Sequence, residues 1–230
     1  MNKLFVLSGA SGSGKSFLVK NIIEKGWCKQ APKYSNREKR LDDFDDITHI
    51  EVDDLEKQCD IRYQIYNENI WYGINTKEIK EKLSDDNLIV IISDIETIKT
   101  LKKHFGDDIS IVFIYLQDFR IDNLLKKRYR LPLEDKERKE LGDYILNCRD
   151  TKNENWVTSA PEDVIIIIEK IKAIFSNEEY QEFIKRCSSW IELAIKYEEN
   201  KTLFTGKIIS STIEKLSDIF YNQFIKKNTI

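Results

Sequence analysis

One run of eight residues carries the most explicit chemistry in the chain. Gly9-Ala10-Ser11-Gly12-Ser13-Gly14-Lys15-Ser16 satisfies G-x-x-x-x-G-K-[ST] at every defined position. Glycines at these places let the backbone curl until successive N–H groups converge on phosphate oxygens. A helix beginning at the lysine would add partial positive charge at its N-terminus. In that setting Lys15 pairs with the β and γ phosphates of ATP, and the Ser16 hydroxyl ligates Mg²⁺. Glycine-rich turns that bind nothing share the pattern, so its neighbours decide what it means.

Those neighbours fit. Leu4-Phe5-Val6-Leu7 is a short apolar run ended by Ser8-Gly9, as expected of a buried parallel strand. After the motif, Phe17, Leu18, Ile22 and Ile23 recur at helical spacing over 15–25, and Gly26 supplies a stop. Further strands are expected at 88–92 and 109–116, and helices at 76–83 (with Thr76 as N-cap), 95–104, 121–130 and 135–148. Trp156-Val157-Thr158 reads as a short last strand, and Pro161 opens a helix running to Phe175. Strands alternating with helices predict an α/β fold of the P-loop NTPase type, with a three-layer arrangement of helices on both faces of a parallel sheet. Residues 177–230 change character, and two helices over about 178–198 and 207–226 predict a helical C-terminal extension. Trp190, Ile191, Ala194 and Ile195 form an apolar stripe there, suited to packing on the core, to a homodimer or to a protein partner.

Composition narrows the remaining classes. The 230 residues suffice for one sizeable α/β core. A net charge of −3 argues against bulk attraction to nucleic acid or an acidic membrane. The four cysteines lie far apart with no C-x-x-C pair, and only two histidines are present, which disfavours a zinc site or a disulfide framework. The first apolar run is too short for a secretory signal, and later ones are too short to span a bilayer. The expectation is a soluble, cytoplasmic protein.

Beyond the phosphate loop, several segments resemble the guanylate kinase family. Ser35-Asn36-Arg37-Glu38-Lys39-Arg40 resembles the family's T-T-R-x-x-R substrate-phosphate segment, and Trp71-Tyr72-Gly73 its Tyr-Tyr-Gly element. Leu88 to Lys99 is similar to the strand and helix that follow, with Asp94 on one of two strand-end aspartates. Leu125-Lys126-Lys127-Arg128 resembles the start of an arginine-bearing lid. The resemblance covers about 3–175 and implies a kinase domain over 1–176, with an acceptor-binding insert at about 33–83 and a lid at about 126–145. It implies ATP and Mg²⁺ as donor and cofactor, and a nucleoside monophosphate or another small phosphorylated acceptor. Arg37 and Arg40, three residues apart, suit a bidentate grip on the acceptor phosphate, joined by Tyr72 and Asp94. The alternatives are that the arginines balance Asp42 to Asp46 and that Asp94 caps a helix. For the lid, Arg128 and Arg138 are the choices, with Arg130 and Arg149 as rivals.

Departures from the family concern the acceptor's base. Tyr63 stands where an acidic residue would receive guanine's N–H groups, and Ile74 replaces a small hydroxyl residue. Ile92 replaces the first strand-end aspartate, and Lys33 stands at a serine position, where a cation still suits phosphate. An unpaired buried donor costs about 1–3 kcal/mol, so guanine preference is weakened. A non-catalytic ATP-binding or protein-interaction module and a regulatory ATPase remain as other readings.

Overall fold

A computed structural model of the chain describes residues 2–38, 47–64, 69–115, 125, 133–209 and 215–226. These residues divide into two units. The first holds residues 1–8, 14–114 and 202–230, and the second holds 9–13 and 115–201.

The first unit is organised by a five-stranded sheet. Strand β1 (Leu4–Ser8) is buried along its whole length, which explains its unbroken apolar sequence. Helix α1 (Lys15–Glu24) follows, then three two-residue strands, β2 (Lys29–Gln30), β3 (Tyr34–Ser35) and β4 (Thr48–His49). Helix α2 (Val52–Gln58), β5 (Ile61–Gln64), β6 (Trp71–Ile74) and α3 (Thr76–Leu83) come next. Strand β7 (Leu88–Ile91), helix α4 (Ile95–Phe105) and strand β8 (Ile109–Tyr115) complete the run. The main sheet has the order β2-β7-β1-β8, joined at its far edge by β9 (Gly206–Ile209). Strand β1 pairs in parallel with both β7 and β8, Leu7 lying opposite Ile91 and Val112. Such pairs need crossovers, which the intervening helices supply.

Alternation along the central strands sends Phe5, Leu7, Ile89, Val112 and Ile114 into one cluster with Leu18, Val19 and Ile22 of α1. The same cluster takes in Leu216 and Phe220 of a short C-terminal helix (Leu216–Phe220), which continues as a π-helical turn carrying Phe224 and Ile225. Phe5 meets Phe220 edge-on at 5.3 Å. Trp27 lies 4.3 Å from Tyr221, and Lys25 reaches Asp218 at 3.0 Å. Helix α3 packs against β7. Beside the main sheet in sequence, β4-β3-β6-β5 form a smaller one, parallel between β3 and β4 and antiparallel elsewhere.

Among the described residues, the second unit holds three α-helices, α5 (Asp135–Asp150), α6 (Glu162–Ile174) and α7 (Asn177–Glu199). The C-terminal helix of the first unit is therefore α8 in chain order. Glu134 with Glu137, and Ser176 with Glu179, form capping boxes that fix the starts of α5 and α7. Leu141, Ile145, Ile168, Ile171, Phe183, Cys187, Trp190 and Ile191 make their shared core, and Ala10 packs into it.

Three expectations need correction. Residues 207–226 are not one helix: Gly206–Ile209 forms an edge strand before α8 begins. Thr205 holds that edge by donating its N–H to the Ile111 carbonyl at 2.7 Å, while its hydroxyl accepts from Ile111 N–H at 3.0 Å. Residues 156–158 are turn rather than strand, because Trp156 is buried and donates its indole N–H to Ser188 of α7 at 2.9 Å. Helix α3 is capped by Asn75, which accepts from the Glu78 N–H, and not by Thr76. The Thr76 N–H and hydroxyl instead donate to Asp60. The basic helix expected over 121–130 lies outside the described residues, apart from buried Leu125.

All four cysteines are buried and unbridged. Among the described residues no helix is long and apolar enough to cross a membrane, and no group of His, Cys, Asp and Glu could hold a metal ion.

Candidate active site

The motif residues occupy the turn between β1 and α1. Gly9, Gly12 and Gly14 have φ of 138°, 81° and 96°, which side-chain-bearing residues rarely adopt. Gly14 is itself the N-cap of α1, so the helix N-terminus opens directly onto the loop. Ala10 accepts from the Ser13 N–H at 3.2 Å, closing an inner turn. Two hydroxyls here, those of Ser8 and Ser13, are buried and have no hydrogen-bond partner among the described residues. A buried unpaired hydroxyl is costly, and a phosphate oxygen at the loop would accept from Ser13. The donor set, left-handed glycines, a helix N-terminus, an orphaned hydroxyl and Lys15, therefore fits a bound polyphosphate. Ser16, at the start of α1, is exposed and supplies a hydroxyl suited to a hard divalent cation.

Lys15 keeps partial exposure as a residue, yet burial withdraws its ammonium from water and lowers its pKa to about 7. The neighbouring Lys33 ammonium adds to the effect. Both causes disfavour the charged form, and an incoming polyanion opposes both.

Lys33 itself is buried, with only 6% of its surface exposed. Its ammonium donates to the Ile91 carbonyl at 3.3 Å and lies 5.6 Å from the centre of the Tyr72 ring. Ile91 ends β7, and the Ile92 N–H donates to the Leu7 carbonyl of β1 at 3.0 Å. Lys33 thus sits at the carboxyl ends of adjacent parallel strands, where open α/β sheets bind ligands.

The small sheet positions the acceptor candidates. Strand β3 sets Ser35 opposite Tyr72 of β6, and Tyr72 stacks on Tyr63 of β5 with centroids 5.4 Å apart. Arg37 follows β3 and is buried. Its N–H donates to Ser35 Oγ at 3.2 Å, and its carbonyl accepts from His49 Nδ1 at 2.6 Å. Its guanidinium donates to the Glu38 carbonyl at 3.2 Å. Tyr34 ties β3 to α3 by donating to Glu78 at 2.5 Å; burial first, and then that carboxylate, pushes the phenol up to about 12. Asp94 is the N-cap of α4, accepting from the Thr97 N–H at 2.7 Å.

Gly73, between Tyr72 and Ile74, allows α2 to lie close. A Cβ there would sit 2.5 Å from both Cys59 Sγ and Leu55 Cδ2. Gly73→Ala therefore destabilises the fold by about 1–3 kcal/mol through overpacking. Urea unfolding reads this as a lower midpoint at unchanged slope; an unmoved midpoint would show that α2 shifts freely.

Arg138 is buried on α5, its guanidinium engaged by the Leu133 carbonyl and by Asp135 one turn back. Arg149 lies over the Tyr115 ring at 4.7 Å and pairs with Asp150 at 2.9 Å. Arg40, Arg128 and Arg130 lie outside the described residues. Lys33 is the member of the site whose importance residue spacing understated. Its signal was the charge at a serine position beside Tyr34-Ser35, but the contact with Ile91 spans 58 residues and no local pattern shows it.

No family model matches the chain. Among curated proteins, a guanylate kinase from Sulfurimonas denitrificans is 30% identical over 118 residues, covering 48% of this chain and 57% of that protein. One from Helicobacter hepaticus is 26% identical over 117 residues, covering 48% of this chain and 58% of its own length. One from Prochlorococcus marinus is 20% identical over 137 residues, covering 56% of this chain and 73% of its own length. The chain thus spans a little over half the length of the first and second of these. The crystal structure of guanylate kinase from Anaplasma phagocytophilum superposes with a TM-score of 0.55 at 10% identity, over 100% of this chain and 87% of that one, a likeness of fold. With a P-loop between β1 and α1 and a parallel sheet flanked by helices, the chain is guanylate-kinase-like.

Proposed function

We propose that the chain is a phosphotransferase that moves the γ-phosphoryl group of ATP to a nucleoside monophosphate, with a base pocket altered from that of a guanylate kinase. One observation carries this reading. Lys33 lies near Lys15 of the phosphate loop and over the ring of Tyr72, so donor and acceptor candidates converge at the ends of β1 and β7.

The roles follow from the chemistry of each group. Gly12, Gly14 and Lys15 present N–H groups and an ammonium to the donor phosphates, and Ser16 would hold Mg²⁺, which would supply charge neutralisation to those phosphates. Lys33, Arg37 and Tyr72 hold the acceptor phosphate, with Arg40 as a further candidate. No side-chain base is required, because the attacking phosphate oxygen is already anionic. Transfer is then a matter of positioning two polyanions and screening their repulsion.

The base reading rests on Tyr63. A buried aromatic ring, stacked on Tyr72, stands where a carboxylate would accept guanine's donors. A phenol offers no carboxylate to accept guanine's N1–H and N2–H₂, so discrimination for that base is weakened.

The test is coupled ADP release from Mg-ATP across ribo- and deoxyribonucleoside monophosphates and several sugar phosphates. Turnover with at least one monophosphate is expected, GMP holding less than about a hundredfold advantage, the equivalent of roughly 3 kcal/mol. A stronger GMP preference would overturn the altered-pocket reading. Tight ADP binding without turnover of any acceptor would leave a non-catalytic nucleotide-binding module.

A further inference from the structure

The first half of the phosphate loop is held from a distant part of the chain. Trp190 of α7 is 3% exposed and donates its indole N–H to the Ser11 carbonyl at 3.0 Å, across 179 residues of sequence. Ala10 is buried in the same cluster as Trp190, Phe183, Cys187 and Ile191. Trp190, one member of the apolar stripe on α7, therefore holds the loop itself.

The consequence follows from peptide geometry. A peptide unit is planar and trans, so its C=O and N–H point in opposite directions. The described residues contain no cis bond. Fixing the Ser11 carbonyl toward α7 therefore fixes the Gly12 N–H away from α7. Gly12 has φ of 81°, and a glycine meets little steric resistance to a flip of the preceding peptide, so the bond from Trp190 bears on which orientation is held. An indole makes a good tie because it has one donor, no acceptor and two side-chain torsions.

We infer that Trp190 is a positioning residue for the donor nucleotide: through the Ser11 carbonyl it presets the Gly12 N–H toward the phosphates. This rests on the reading of Gly9 to Ser16 as a polyphosphate cradle. Part of the nucleotide affinity then resides in α7, outside the phosphate-loop motif.

The test compares Trp190→Phe with Trp156→Phe in the full chain. Each removes one indole N–H from the same buried cluster, but Trp156 donates to Ser188 and leaves the loop untouched. Mg-ADP binding is measured by titration calorimetry, and thermal midpoints by scanning calorimetry. Trp190→Phe is expected to weaken ADP binding by about two- to twelvefold, the span of one lost hydrogen bond between neutral groups, with Trp156→Phe near the parent. The Gly12 amide resonance shifts only in the former. Equal ADP affinity in Trp190→Phe and parent overturns the inference, as does equal weakening in both variants that tracks lost thermal stability. A parent chain that binds no ADP overturns the cradle reading, and this inference with it.

Discussion

Lys15→Ala is expected to lower the proposed phosphoryl transfer by about 10³-fold, roughly 4 kcal/mol of barrier, with every acceptor tested. The magnitude comes from where the ammonium lies. Burial and Lys33 have already brought its pKa down to about 7, so the site is poor in solvent that could replace the lost charge. The same shift gives the prediction a pH signature. A bound polyphosphate favours the ammonium and raises its pKa, so above pH 7 nucleotide binding takes up a proton. ADP affinity of the parent then falls as pH rises through 7, by up to about tenfold per unit. Lys15→Ala flattens that slope as well as weakening binding. Calorimetry in buffers of different ionisation enthalpy measures the proton uptake directly. A variant within about tenfold of the parent's turnover, or an equal pH slope in both proteins, would remove Lys15 from the proposed mechanism.

How much of this was legible depended on the range of the interaction. The loop and its flanks were readable because each signal is local: four apolar residues, three glycines, then a helix-spaced run. The α4 start was equally local, since Asp94 lies three residues before the N–H it caps. The capping reading of Asp94 was open from the sequence, and the structure realises it. Strand β9 was not legible. It is four residues long, with Ile208 buried and Ile209 exposed, and it exists because Thr205 meets Ile111 across 94 residues. Tertiary pairing there outweighed a helical pattern. Trp156 failed similarly: an aromatic followed by β-branched residues reads as strand, but a buried indole bound to Ser188 settles for a turn. Lys33 and Trp190 mattered for the same reason. Their partners, Ile91 and Ser11, are backbone carbonyls, which carry no residue identity for a sequence to display.

Arg37→Ala should act on the acceptor alone, raising its KM by about 10- to 100-fold while ADP affinity stays near that of the parent. That range corresponds to one charge-assisted hydrogen-bond pair to phosphate, about 1.5–3 kcal/mol. Selectivity follows from how Arg37 is held. Its backbone is fixed by Ser35 and His49, bonds that survive truncation of the side chain. Strand β3, paired with β6 at Tyr72, therefore keeps its register. What is lost is the buried guanidinium and its bond to the Glu38 carbonyl. Arg37→Lys tests geometry against charge. A lysine restores the cation but not the bidentate fork, so only part of the KM is recovered. If Arg37→Ala instead weakens ADP binding and lowers the thermal midpoint in step, the guanidinium supports the fold of the small sheet rather than the acceptor. A split between acceptor KM and ADP affinity would tie the arginine to the acceptor phosphate of the proposed reaction.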